Sequence, residues 1–178
     1  MKNLFIVLFS AIISTANAQV IIGDAVGTAT TKNSVLLEFA LVNKGIVLPY
    51  VRTLPAPLPI TEGTILLDAS LPTAARMRFS NGVNWVDLSG QDGNVSSALA
   101  TQPTATETAG AKSIIGARTS SADGVLVLES TTKAMVLPTV ADVQNIPSPS
   151  PGMMVYINKT GAKRLAVFNG SKWSFWKP

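Results

Sequence analysis

Gly152-Met153-Met154-Val155-Tyr156-Ile157-Asn158-Lys159-Thr160-Gly161, followed by Arg164-Leu165-Ala166-Val167-Phe168-Asn169-Gly170-Ser171-Lys172-Trp173-Ser174-Phe175-Trp176, is the stretch whose reading decides the fold. Its apolar runs are about five residues long, short for helices and rich in β-formers, with turn residues between them. Met153 to Ile157 reads as a strand, and Asn158 to Gly161 as a turn in which Gly161 suits a positive φ. Arg164 to Phe168 and Lys172 to Trp176 are two further strands. Asn169-Gly170 between them is a strong hairpin signal, with both residues expected in left-handed geometry. The pattern is a three-stranded antiparallel meander. Trp173 lies just past the turn, where its ring covers the hairpin.

Upstream, Val125 to Leu128 and Ala134 to Leu137 read as strands, the second stopped by Pro138. Thr139 to Asn145 reads as one helical turn with Thr139 as N-cap. Pro147, Pro149 and Pro151 must run outside any sheet ladder.

The same order of landmarks occurs earlier in the chain. Val35-Leu36-Leu37-Glu38 matches Leu126-Val127-Leu128-Glu129, and Lys44 to Pro49 matches Lys133 to Pro138. Gly63 with Thr64 to Leu67 matches Gly152 with Met153 to Tyr156, and Arg76-Met77 matches Arg164-Leu165. Asn81-Gly82 with Trp85 matches Asn169-Gly170 with Trp173. Generic likeness between strands would not keep Pro, Gly and Trp in register, so the chain contains a duplication. The expected fold class is all-β: two diverged repeats, each with a three-stranded antiparallel meander, joined by a low-complexity linker. The expected boundaries are a signal peptide over 1–18, a first β repeat over 19–89, a linker over 90–112 and a second β repeat over 113–178. Gln, Ser, Thr, Ala and Gly dominate the linker.

Glu-x3–5-Lys-Gly/Ala-apolar-Pro, a proline-containing segment, Gly-apolar3-Tyr and Asn-Gly-x2-Trp together resemble a repeat of exported surface proteins of Bacteroidetes. The order is also similar to phage tail-fibre-like proteins. The second copy, from Val125 to Trp176, fits the pattern. The first departs from it at Asp68, in two extra residues before Lys44, and in Leu54-Pro55-Ala56-Pro57-Leu58-Pro59, which replaces a short helix. The resemblance implies a structural or adhesive surface role, with no catalytic residues to carry over. Fibre-like relatives imply threefold self-association; the competing arrangement is that the two copies pack on each other, making one closed chain with pseudo-twofold symmetry, which the linker is long enough to permit.

The 178 residues are 47 % hydrophobic and 13 % charged, against a usual charged share of about 25 %. There is ample apolar material for a core, and the surface is unusually neutral. The net charge of +4 is scattered. It forms no basic run, which argues against a nucleic-acid partner. The chain has no Cys and no His. Disulfides, thiolate and imidazole metal sites, and Ser-His or Cys-His nucleophiles are thereby excluded. No cofactor and no enzymatic activity are expected. Lys2, the apolar run Leu4 to Ile13 and Ala16-Asn17-Ala18 read as a cleaved secretory signal. That run is half the length of a membrane span. Export to the cell surface or extracellular space follows, with the periplasm as the other destination.

Among candidate sites, Glu38 and Glu129 recur between copies, as do Lys44 and Lys133. Without an accompanying acid-base constellation they read as duplicated structural contacts rather than a paired site. Trp173, Phe175 and Trp176 are the candidate ligand-binding aromatics. Strand alternation puts Trp173 and Phe175 on one face and Trp176 on the other. An exposed set would stack on sugar rings; a buried set is core. Asn94-Val95-Ser96, Asn158-Lys159-Thr160 and Asn169-Gly170-Ser171 match a glycosylation sequon without implying modification in a bacterial protein. Two functions stand from this reading: an exported cell-surface structural or adhesive protein, such as a fibre-like subunit, and a carbohydrate-binding module using the C-terminal aromatics. Expected partners are the chain itself as a homo-oligomer or other surface proteins, with glycans as the further class. Mass spectrometry of the exported protein is expected to find Gln19 as its first residue; an intact Met1 would contradict the cleavage reading.

Overall fold

The computed structural model describes residues 19–176 except 25, 28, 31, 41, 42, 57–59, 104, 105, 107 and 109. The expected signal peptide, and Pro57, Leu58 and Pro59 of the proline-rich stretch, lie outside the described residues. Among those described, the first copy contributes β1 (Val20–Ile22), β2 (Val35–Phe39), β3 (Ile46–Val47), β4 (Tyr50–Val51), β5 (Ile65–Asp68), β6 (Arg76–Ser80) and β7 (Trp85–Asp87). The second contributes β8 (Ser113–Ile115), β9 (Leu126–Leu128), β10 (Ala134–Val136), β11 (Thr139–Val140), β12 (Met153–Ile157), β13 (Arg164–Phe168) and β14 (Trp173–Trp176). A short helix, α1 (Ser96–Thr101), lies between the copies. The fold is all-β, as the sequence predicts, and each strand of the first copy has its counterpart seven strands later.

The pairings repeat too. One sheet has the order β4-β5-β6-β7, another β11-β12-β13-β14; in both, the first pair is parallel and the rest is the predicted antiparallel meander. The parallel pair grows out of the recurring proline. Pro49 has no N–H, but its C=O accepts from Leu67 N–H at 3.0 Å, and Pro138 C=O accepts from Tyr156 N–H at 2.9 Å. Two residues on, Val51 C=O accepts from Ala69 N–H at 2.9 Å, and Val140 C=O from Asn158 N–H at 3.0 Å. The prolines therefore do not end strand structure; they start a two-residue strand on the meander's edge. β1 and β2 form another parallel pair, as do β8 and β9.

The recurring glutamates tie down the crossover loops of these parallel pairs. Fully buried Glu38 accepts from Ala29 N–H at 2.6 Å, from Gln19 Nε2 at 2.9 Å and from Lys32 Nζ at 2.9 Å. Glu129 accepts from Ser120 Oγ. In that loop Lys112 Nζ donates to the carbonyls of Ser120 at 3.0 Å and Ala122 at 2.6 Å. Lys32 is thus the ion-pair partner of Glu38; Lys44 is exposed.

Two local expectations need correction. The hairpins are two-residue turns, but Asn81 and Asn169 precede the central pair. Asn81 N–H bonds Asn84 C=O at 3.2 Å, and Asn169 N–H bonds Lys172 C=O at 3.3 Å. Gly82 and Gly170 are therefore first central residues, with φ of 87° and 99°, while neither Asn has a positive φ. Asn keeps ordinary backbone geometry because its side chain has another task. Oδ1 of Asn81 accepts from Val83 and Asn84 N–H, and Oδ1 of Asn169 accepts from Ser171 and Lys172 N–H. The expected helical turn is also shorter. Thr139 is in β11, and a 3-10 turn spans Val143–Asn145 with Asp142 as its cap, Oδ1 accepting from Gln144 N–H at 3.1 Å.

Strand alternation gives each meander two faces. Leu67 and Met77 of the first copy pack with Met154 and Val167 of the second, flanked by Ile65, Phe79 and Leu165. The opposite face of the second meander, with Val155, Ile157 and Ala166, is covered by Val140, Val143 and Ile146 of its own copy. The main core is therefore shared between the copies. Leu67→Ala, at a site with no exposure, is expected to cost about 2–5 kcal/mol. Calorimetry should show one unfolding transition shifted as a whole; separate transitions for the two copies would contradict the shared core.

Candidate functional site

The feature that distinguishes this molecule from two beads on a string is an exchange of strands between the copies. β3 of the first copy lies antiparallel on β12 of the second, pairing Val47 with Met153 and Ile46 with Met154. Leu48 N–H extends the pairing to Gly152 C=O at 3.0 Å. Gly45 makes the approach feasible, since a Cβ there would lie 2.4 Å from Met153 Cγ. In return β10 of the second copy lies parallel on β2 of the first, pairing Met135 with Leu37 and Val136 with Glu38.

A second seam runs along β14. Among the candidate aromatics, Trp173 faces the core of its own copy, its ring 5.3 Å from that of Phe168 at a tilt of 45°. Phe175 is more exposed and lies under the guanidinium of Arg164, 4.5 Å from the ring centroid, a cation–π contact. Trp176 turns the other way, its Nε1 donating to Leu88 C=O of the first copy at 3.1 Å. The alternation expected from sequence holds, with one face toward the second copy's core and the other toward the first copy. The three rings do not form one continuous platform.

Residues 88–95, which the sequence assigns to the end of one repeat and the start of a linker, complete this seam. Ser174 Oγ donates to Ser89 C=O. Fully buried Asn169 donates from Nδ2 to Gln91 C=O at 2.8 Å, and Asn94 N–H donates to Ser171 Oγ at 2.8 Å. Gly93 bridges Ala75 on the other side. The role of these residues is not visible in a composition of Ser, Gly, Gln, Asp and Asn; the local cues are the apolar Leu88 and Val95 at its two ends, both buried.

Two hollows adjoin these seams. An apolar groove of about 290 Å³ lies between the copies, walled by Ile65 and Phe79 on one side and by Met135, Leu137, Met154 and Leu165 on the other. A smaller hollow of about 200 Å³ lies on the first copy's outer face among Asp68, Arg76, Arg78 and Asp92. Its charges are mutually satisfied: Arg78 Nε meets Asp68 at 2.8 Å, and Arg76 bonds Asp92 at 2.8 Å and also Asp87. Burial works against the Asp87 carboxylate, but N–H donation from Ser89, Arg76 and Gly90 outweighs it and holds its pKa below the ordinary value. This is an ion-paired surface network, without a general acid or base poised for proton transfer.

The family model that matches the chain is described as a phage tail like trimerisation region, and it matches residues 114–177. The second copy is therefore similar to a phage-tail-like region, and the first copy lies outside the match. No curated protein and no solved structure matches the chain.

Gly170 stands where turn and seam meet. A Cβ there would lie 2.7 Å from Val95 Cγ1 and 3.1 Å from Asn94 C=O, whereas nothing lies within 4 Å of one at Gly161, which also has a positive φ of 75°. Gly161→Ala is expected to cost about 1–2 kcal/mol, the left-handed conformation alone. Gly170→Ala should cost clearly more, and equal losses in denaturant titrations would mean that the seam is absent in solution.

Proposed function

We propose that the protein is an exported, non-enzymatic structural subunit that self-associates as a trimer and contributes to a fibre-like assembly at the cell surface. The observation that carries this reading is the match of residues 114–177 to a trimerisation region of phage-tail-like type. The architecture supports it. Each copy places a short strand on the other, β3 of two residues on β12 and β10 of three residues on β2, so its pairing depends on elements outside its own meander. Three-stranded units of this size are marginal alone. Export rests on the leader-like residues 1–18, and an adhesive role on the resemblance to exported surface repeats.

Glycan binding receives less support. Trp173 is committed to packing; Phe175 and Trp176 keep 43 % and 45 % exposure but lie on opposite faces of β14, Phe175 beneath Arg164 and Trp176 bonded to the first copy, so they form no common platform. Light scattering on the chain beginning at Gln19 is expected to give three times the single-chain mass at micromolar concentration. A single-chain mass at every concentration would refute the self-association reading.

A further inference from the structure

The contact between the copies has a direction. The first copy contributes β2 and β3, and the second meets them with β10 and β12 respectively. A twofold relation would add the converse pairs, β9 with β3 and β10 with β5. Among the described residues neither is formed: β9 pairs with β8, and β5 pairs with β4 and β6. The contact is therefore heterologous, and a heterologous contact either closes into a ring or propagates. The surfaces it leaves are complementary. The second copy retains an unused β9 edge and an unused side of β10, while the first retains an unused side of β3 and the start of β5.

Burial shows what the missing partner leaves open. β2 and β9 are the same strand in the two copies, yet Val35 is 4 % exposed and its counterpart Leu126 is 47 % exposed. Leu37 is fully buried, and its counterpart Leu128 is half-buried. Residue types are alike; β10 covers β2, and among the described residues no strand does the same for β9. On the complementary surface Val47 of β3 is 49 % exposed. Met135 and Ile65, the counterparts of the paired Ile46 and Met154, stand on opposite walls of the apolar groove, and among the described residues their strands are not paired with each other.

We propose that the β9 edge receives β3 from a second copy of this chain, in parallel, and that β10 of the first chain lies antiparallel on β5 of that second chain. The chain-to-chain contact repeats the contact already made within the chain. Its register follows from the internal one: Met135 pairs with Leu37, so Ile46 of one chain meets Leu128 of the other. The inference rests on the self-association reading above and specifies the surface. A second copy is the fitting occupant because it carries both β3 and β5, the counterparts of the strands β10 and β12 that make the contact within the chain.

The absence of cysteine in the natural chain makes the test direct. Two variants, Ile46→Cys and Leu128→Cys, are prepared separately, checked for an unchanged circular dichroism spectrum, mixed and oxidised. A disulfide-linked pair containing one of each is expected on a non-reducing gel. Oligomers by light scattering without the mixed pair would overturn this contact while leaving self-association standing; single chains throughout would overturn both. A double variant that closes its disulfide only within one chain would also overturn it, showing twofold closure instead. Leu126→Lys gives an independent reading, since that side chain is already half in solvent and the fold tolerates the change. It is expected to shift the oligomer to single-chain mass at unchanged concentration, and an unaltered oligomer would count against the proposal.

Discussion

A strand of two residues has no existence of its own. β3, β4 and β11 each satisfy a few backbone groups only because a longer strand offers them an edge. In this chain those offers cross between the copies as well as within them. β12 is the clearest case. Its C-terminal half takes β11 of its own copy, and its N-terminal half takes β3 of the other. Remove the exchange and β3 loses its pairing, Leu48 N–H loses Gly152 C=O, and Met153 and Met154 lose their cover. The shared core of Leu67, Met77, Met154 and Val167 is held in register by these few backbone bonds.

Duplication supplied matching parts, and divergence fitted them to different surroundings. The outer face of the second meander presents Val155, Ile157 and Ala166 and is roofed by the segment from Val140 to Ile146. At the corresponding positions the first meander has Leu66, Asp68 and Arg78. Asp68, which departs from the repeat pattern, thus belongs to an outer face where Arg78 and Ser70 satisfy its carboxylate. The tryptophans diverge likewise. Trp173 stands opposite Phe168 and stacks on it, whereas Trp85 stands opposite Ser80 and its Nε1 reaches Pro55 C=O at 3.4 Å. Equivalent position in the hairpin is retained; the environment is not.

What the sequence made legible follows the range of each interaction. The meanders, the turns at Asn-Gly and the duplication are local patterns, and alternation over four or five residues suffices to read them. The turn type differs from the expectation because Asn-Gly predicts left-handed backbone at both residues, while here each Asn uses its side-chain oxygen to hold the turn from the position before. The parallel strands after Pro49 and Pro138 are not legible in the sequence, since two residues carry no periodicity. The partners of β2 and β10 are about a hundred positions apart, and only the three-dimensional path of the chain joins them. Of the aromatic site, alternation tells which face each ring takes; that the face of Ser174 and Trp176 meets the first copy depends on residues 88–95, whose composition reads as linker.

The strand edges carry their own argument about use. Exposed edges are ordinarily guarded by lysine, proline or a bulge, because an open row of backbone groups invites pairing. β9 carries Leu-Val-Leu, preceded by exposed Val125 and followed by Glu129, which the crossover loop engages through Ser120. Where β2 meets β10, the register shift between Ala134 and Met135 already accommodates an irregular partner. An apolar edge with no guard, on a chain with little charge to keep it apart from its neighbours, is a poor surface for a solitary molecule. It suits the second copy proposed above, whose cover would repeat the geometry found within the chain, where β10 lies on β2.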